Sequence, residues 1–304
     1  MYPVVDIPEN APEDVESLGS KYKFWYGGGQ YLFKEARDSA GEDWAEKISG
    51  EIARILGLPH ADYDLGLWKR SGTGVRGVIS RNFCGRTENL VLGNELLAQV
   101  DRGYAPGVSR FRVTTHTVDR VLRTIEDLNL GCPLGWIPAV PNMHAAELFV
   151  GYLFLDALVG NTDRHHENWG VVRTATGNLH LAPTFDHASS LGCHEIDDNR
   201  SKRINSRDSN FTVAAFAARE RSALYLNEES TRPLLVRDAF LIAARRFPAA
   251  GKHWLEVLMS ISDNELGILV DEVPSPPITR VSGEFAKRML LANKGALLAA
   301  ANDL

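Results

Sequence analysis

The sequence predicts an α+β chain of two unequal lobes, a small β-rich lobe carrying one helix and a larger helical lobe. Short aromatic-rich runs broken by glycine turns fill the first part, and long apolar periodicities fill the rest. The length, 304 residues, exceeds what a single compact domain usually needs. The lobes are expected at 1–86 and 87–304, parting near Gly85 to Asn89. With 44% hydrophobic and 24% charged residues, such a chain buries a core without disulfides or structural metals.

Taken in order, residues 1–17 are rich in proline and acid and read as an irregular arm. Lys21 to Tyr26 and Gln30 to Arg37 flank Gly27-Gly28-Gly29, which predicts two strands joined by a glycine turn. Glu42 to Leu56 places Trp44, Ile48, Ile52, Ile55 and Leu56 at helical spacing, and Gly57 and Pro59 stop that helix. Ala61 to Trp68 and Val75 to Phe83 predict two more strands around the turn-rich Lys69 to Gly74. In the second lobe Thr117 to Leu130 is amphipathic, whereas Met143 to Val159 is apolar almost all round and must be buried on every side. Further helices are expected over 235–247, 252–272 and 284–301, with a break at Pro274 to Pro277.

Composition excludes several function classes. There are 39 acidic and 33 basic residues, a net charge of −6, which disfavours direct binding to a nucleic-acid backbone. Cys84, Cys132 and Cys193 are odd in number and far apart, so a reducing cytoplasm fits better than a disulfide framework. The N-terminus lacks the basic and apolar regions of a signal peptide. Ala145 to Val159 is too short for a bilayer span and carries Glu147 and Asp156, so no membrane partner is expected.

The segment that carries chemistry follows the buried helix. Gly160-Asn161-Thr162-Asp163-Arg164-His165-His166-Glu167-Asn168 is a polar loop, after which Trp169 to Val172 and Leu179 to Pro183 can pair as a hairpin. Phe185-Asp186-His187-Ala188-Ser189-Ser190-Leu191-Gly192 comes next. That layout brings Asp163, Asn168 and Asp186 to one end of a shared cleft. Phosphoryl transfer from ATP needs such a set, one carboxylate to orient or deprotonate the attacking hydroxyl, and an Asn carbonyl with a second Asp to hold magnesium. Hard oxygen ligands suit that ion, which keeps waters and binds phosphate oxygens.

Gly-Asn-Thr-Asp-Arg-His-x-x-Asn-Trp-Gly, followed by Ala-Pro-x-Phe-Asp-His-Ala-Ser-Ser-Leu-Gly, closely resembles the catalytic segments of HipA-like kinases. The Asp-Arg-His-x-x-Asn core is also similar to that of phosphoinositide kinases. The likeness is specific over 156–192, weaker but in order over 18–84, and only helical in character beyond about 210. It implies a bilobal protein-kinase-like fold, ATP and Mg2+ as cofactors, and transfer to a Ser/Thr hydroxyl of a protein acceptor. It assigns Asp163 as catalytic base and Asn168 and Asp186 as magnesium ligands. His165 falls where the family has a catalytic or nucleotide-contacting His, or else it orders the loop by hydrogen bonding. His166 is expected to be exposed. An antitoxin-like partner comes with the family, but HipA toxins have a longer region ahead of the kinase domain and nothing in this sequence supports such a partner.

In the small lobe Lys34, mid-strand in Tyr31-Leu32-Phe33-Lys34, is placed to reach the nucleotide phosphates. The family pattern points to Glu46 as its acidic partner. Helical periodicity sets Glu46 nearly opposite the Trp44/Ile48/Ile52 stripe and leaves Glu51 as the alternative. Two segments compete for the phosphates, Gly27-Gly28-Gly29 and Leu18-Gly19-Ser20-Lys21, and family order favours Gly19 and Ser20. By the same likeness Ser20 is a candidate autophosphorylation site. Neither segment matches the loop of P-loop NTPases. Ser80 to Cys84, including Phe83, forms the expected hinge against adenine.

Two rival readings remain. A pseudokinase would bind nucleotide without turnover. A metal-dependent phosphohydrolase would draw on His165, His166, Asp186, His187, Cys193 and His194, and leaves Lys34 unexplained. Residues 193–211 occupy the position of an activation segment, and Ser189, Ser190, Ser201, Ser206 and Ser209 read as polar surface.

Overall fold

Strands β1 (Val4–Ile7), β2 (Asp14–Val15), β3 (Lys23–Tyr26) and β4 (Tyr31–Glu35) precede helix α1 (Glu42–Ile55), and β5 (Tyr63–Arg70) and β6 (Thr73–Arg81) follow it. The six strands form one sheet in the order β1-β5-β6-β4-β3-β2. The computed structural model describes residues 1–16, 21–37, 40–104, 112–138 and 140–303. The β3–β4 hairpin turns through Gly27, Gly28 and Gly29 at φ values of 63°, 67° and 75°. Three consecutive left-handed residues are costly for any side chain with a Cβ, so this tip requires glycine.

The arm expected to be irregular is instead strand at both ends of the sheet. β1 pairs parallel with β5, and β2 pairs antiparallel with β3. Proline and acid obscured this, yet edge strands are where such residues are tolerated, and the sheet has two edges to cover. Ile7 points inward and joins Phe24, Phe33, Trp68 and Ile79 in a core.

Helix α1 shows why periodicity misled on its polar side. Trp44, Ile48 and Ile52 are buried as expected, but so are Glu42, Asp43, Glu46, Lys47 and Glu51. One side of the helix packs on β5 and β6, and another meets the helical lobe. Its acids are therefore enclosed and need partners.

In the helical lobe β7 (Asn89–Leu92), α2 (Gly93–Val100) and α3 (Val118–Asp127) lead to α4 (Ala145–Val159). Helix α4 is buried along its length and packs against α1, α3 and the later helices. Strands β8 (Gly170–Arg173) and β9 (Leu179–Leu181) make the expected hairpin, and β7 adds a third, unforeseen strand. Next come α5 (Asp197–Ile204), α6 (Val213–Ala217), α7 (Val236–Arg246), α8 (Pro248–Ser260), α9 (Asp263–Asp271) and α10 (Arg280–Ala299). The single helix expected over 252–272 is two, because Ser262 and Glu265 form a capping box that starts α9 afresh. Helices α2, α5 and α6 are too short to stand out as periodic patterns. Among the described residues no helix is long and apolar enough to cross a membrane.

Candidate active site

The loop after α4 begins at Gly160, which caps the helix in the left-handed conformation at φ 66°. Arg164 then turns inward and is fully buried. Its guanidinium makes a bidentate pair with Asp156 on α4, with Nε and Nη2 each 2.7 Å from a carboxylate oxygen. Nη1 donates to the Asn168 carbonyl at 2.6 Å, and Nη2 to the Thr184 hydroxyl at 3.0 Å. Asn161 donates to the same Asp156 carboxylate at 2.8 Å. One arginine thus fastens the loop to both the helix behind it and the chain leading to Asp186. No spacing rule singled it out. Its neighbours Asp163 and His165 drew attention instead.

This anchoring sets out the polar residues of the loop. The Asn168 amide donates to the Asp163 carbonyl at 2.7 Å, which closes the loop on itself. His165 is largely buried, its Nδ1 accepts from the Glu167 amide at 3.1 Å, and its Nε2 lies 3.9 Å from the Asp163 carboxylate. Asp163, His165, Asn168 and Asp186 all line one cleft of about 850 Å³. Asp186 sits at φ 60°, an unfavourable angle for a residue with a Cβ, and its amide donates to the Tyr63 hydroxyl at 3.0 Å.

His166 departs from expectation. It is buried, with Nδ1 2.6 Å from the Tyr104 hydroxyl, because β7 and α2 cover the loop from outside. Its carbonyl accepts from the Asn94 amide at 2.8 Å, and the Trp169 carbonyl from Gly93 at 2.8 Å. Beside it His116 is buried and its ring accepts from the Trp169 indole at 3.2 Å. Burial, followed by the neighbouring His166, lowers the His116 pKa to about 3, so its ring is neutral and able to accept. Ser190 is likewise buried rather than part of a polar surface.

From the sheet side, Lys34 enters on the interior strand β4, between β6 and β3. Its Nζ is 3.3 Å from Glu46 and 3.6 Å from Asp186. Glu51, the alternative acid, instead pairs with Lys47 at 2.7 Å and with Arg54 at 2.9 Å. Burial works against the Lys34 ammonium, but Asp186 and Glu46 outweigh it and raise its pKa above the ordinary value. Burial also opposes ionisation of Asp186, yet Lys34, Lys23 and Lys21 hold its carboxyl well below the usual range. Burial, with Glu46 and Asp186, pushes the Tyr63 phenol well above its ordinary value, so it stays protonated.

Lys23 lies directly opposite Lys34 in the β3–β4 register and lines the same cleft. Burial and the Lys34 charge lower its pKa, and no carboxylate lies within ion-pair distance of it among the described residues. Lys21 also lines the cleft and pairs with Glu42 at 3.1 Å. The alternation of Lys21 and Lys23, two residues apart at the entry to β3, was the signal that could have found them. Tyr63 offered none.

Ser80 to Cys84, at and beyond the end of β6, also line the cleft, and Phe83 packs on Phe185 with ring centroids 5.9 Å apart. The glycines of the β3–β4 turn do not line the cleft, and the Gly28 amide instead donates to Glu13 at 2.8 Å. The competing segment, with Gly19 and Ser20, lies outside the described residues apart from Lys21. Among the described residues no group of three or more His, Cys, Asp or Glu side chains converges as a metal cluster. His187, one of the ligands the hydrolase reading needs, is buried with Nε2 2.9 Å from the Thr184 hydroxyl, and Cys193 donates to the Ala188 carbonyl.

No protein-family model matches the chain, and no curated protein matches it. Solved structures do. The proinflammatory kinase CtkA of Helicobacter pylori superposes with a TM-score of 0.71 at 20% identity, covering 99% of each chain. A chain of the Shewanella oneidensis MR-1 toxin–antitoxin complex of HipA, HipB and operator DNA gives 0.54 at 12% identity, over 96% of this chain and 65% of that one. From the buried α4 to the sheet that carries Lys34, this chain has the fold of the HipA-like kinases.

Proposed function

We propose that the protein is a kinase that transfers the γ-phosphate of ATP, with magnesium, to a Ser/Thr hydroxyl of a protein acceptor. The observation that carries this reading is that Lys34, paired with Glu46 and Asp186, lines one cleft with Asp186, Asp163 and Asn168. The lobes divide near residue 86, with the nucleotide between them. In this reading Lys34, Gly19 and Ser20 bind the phosphates, Glu46 holds Lys34 in place, and Phe83 borders the adenine.

The donor set suits a hard cation. The Asp186 carboxylate and the Asn168 side-chain carbonyl are oxygen ligands, too few for a self-sufficient metal site. They are enough for an ion that completes its shell with water and phosphate oxygens. When bound, magnesium would neutralise charge developing on the transferred phosphoryl group.

The chain's own residues do the rest. Lys34, kept cationic by two carboxylates, binds phosphate oxygens as a fixed charge, and Lys23 adds a second ammonium on the same face. Asp163 accepts the proton of the attacking hydroxyl and orients its oxygen. His165, beside that carboxylate, keeps the loop in shape and bounds the acceptor side. Retention of all these groups favours turnover over a pseudokinase. The three cysteines are free, which suits work in a reducing cytoplasm. Neither nucleic acid nor membrane is needed as a partner, and no antitoxin-like partner is invoked.

The test is incubation of the full chain and a cell lysate with labelled ATP, with magnesium or with chelator, followed by phosphopeptide mapping. Magnesium-dependent label on seryl or threonyl groups is expected. ATP-specific thermal stabilisation without any transfer would favour the pseudokinase, and no stabilisation at all would remove the nucleotide reading.

A further inference from the structure

We infer that Arg200 is a positioning residue that ties the chain following Asp186 to the start of α1, so that Asp186 and Glu46 meet Lys34 together. The inference rests on the nucleotide-binding reading above. Arg200 lies on α5, remote in sequence from either acid, and its side chain is buried. Its Nη2 donates to the Gly192 and Cys193 carbonyls at 2.9 and 3.0 Å, while Nη1 pairs with Asp197 at 2.7 Å.

The Cys193 carbonyl is shared. It also accepts from the Gly41 amide at 3.0 Å, and Gly41 is the residue from which α1 starts. The Arg200 guanidinium lies over Trp44 of α1, 5.9 Å from its ring centroid. Trp44 and Glu46 share the first turns of that helix. Gly41 lies directly against Trp44, since a Cβ there would fall 2.0 Å from its indole. Arg200 thereby grips one carbonyl pair and one aromatic face that belong to two different elements.

The chain it grips needs holding. Leu191 and Gly192 sit at φ 57° and 62°, and Leu191 is not a residue that favours that angle. The Leu191 amide donates to the Val159 carbonyl at 2.8 Å, and a Cβ on Gly192 would fall 2.6 Å from Phe285. This wedge determines where the chain running back to Asp186 can lie, and Arg200 closes its open side. Arg200 Nε makes no hydrogen bond among the described residues. A buried guanidinium with an unpaired N–H is a poor stabiliser, so its value at this place is positional. Lysine replaces it only in part, since a single ammonium has no second nitrogen to pair with Asp197 while the first holds both carbonyls, and no planar face to cover the indole.

The experiment is a double-mutant cycle on Mg-ATP affinity in the full chain, with thermal denaturation confirming that each variant folds. Arg200→Ala should weaken Mg-ATP by about tenfold, and Arg200→Lys should recover only part of that loss. In a Glu46→Gln background, Arg200→Ala should add little, because both substitutions release the same Lys34 contact. If Arg200→Ala does not fold, Arg200→Lys carries the same comparison. Unchanged affinity, or losses that multiply independently of Glu46, would overturn the role of Arg200 while leaving the nucleotide reading intact. Absence of Mg-ATP binding in the wild-type chain would overturn both.

Discussion

Two ion groups flank the loop that follows α4, and they are built to opposite specifications. Behind it, Arg164 and Asp156 form a closed network in which the guanidinium also meets the Asn168 carbonyl and the Thr184 hydroxyl. In front of it, Lys34 is shared between Glu46 and Asp186, Lys23 stands opposite with no carboxylate at ion-pair distance among the described residues, and Lys34, Lys23 and Asp186 border a cleft of about 850 Å³. The first arrangement leaves little for a ligand to add. The second has cations and carboxylates whose remaining valences face open space. A satisfied buried network supports architecture, and an incompletely satisfied one at a cleft is where a charged ligand gains most.

The contrast is broken most sharply at Asp163. Asp163→Asn should retain Mg-ATP affinity while phosphotransfer falls by about 10²–10⁴-fold, since proton acceptance and positioning are lost. Asp186→Asn should instead lose magnesium-dependent nucleotide stabilisation and turnover together. Isothermal titration beside transfer rates separates the two, and turnover at the wild-type rate in Asp163→Asn would sink the kinase assignment.

Behind the loop the damage should appear as stability. Arg164→Met leaves the Asp156 carboxylate buried without its partner and should cost about 3–5 kcal/mol in urea denaturation. Lys34→Ala, in front of the loop, should leave the fold intact and weaken Mg-ATP by about 1.5–3 kcal/mol, the worth of one charge-assisted contact. Equal denaturation losses in the two variants would erase the distinction between the groups.

Glu220 offers the smallest and most pointed test. Unlike Asp186, it is half-buried with no lysine to offset its desolvation. Desolvation, with Glu195 adding to it and Arg203 only partly opposing, raises its pKa to about 7. A carboxyl raised in the folded state binds its proton more tightly there than in the unfolded chain. Stability should therefore decline as pH rises from its ordinary value near 4.5 towards 7, and Glu220→Gln should flatten that slope in pH-resolved denaturation. Asp186 has the opposite sign. Its depressed pKa adds stability that is present above the ordinary carboxylate range and lost only in strong acid.

Much of this was legible in the chain itself. The glycine run named its own turn, because only glycine accepts three left-handed residues in succession. The all-apolar helix at 145–159 announced its own burial, and the polar loop after it with Asp163 and Asn168, then a hairpin leading to Asp186, was recognisable from the order of residues along the chain. These features depend on residues close in sequence, where periodicity and backbone sterics decide the outcome.

What the sequence left open was decided wherever distant segments meet. Glu46 rather than Glu51 faces Lys34 because α1 is enclosed by the sheet and the helical lobe, a fact no single-helix periodicity contains. His166 is buried because β7 and α2 close over it, and the proline-rich arm becomes strand because the sheet has edges to fill. Local sequence determined the long helices, the glycine hairpin and which residues are candidates for chemistry. Only tertiary structure decided which charges share a cavity, because the cost of burying an ion depends on partners that the chain brings in from far away.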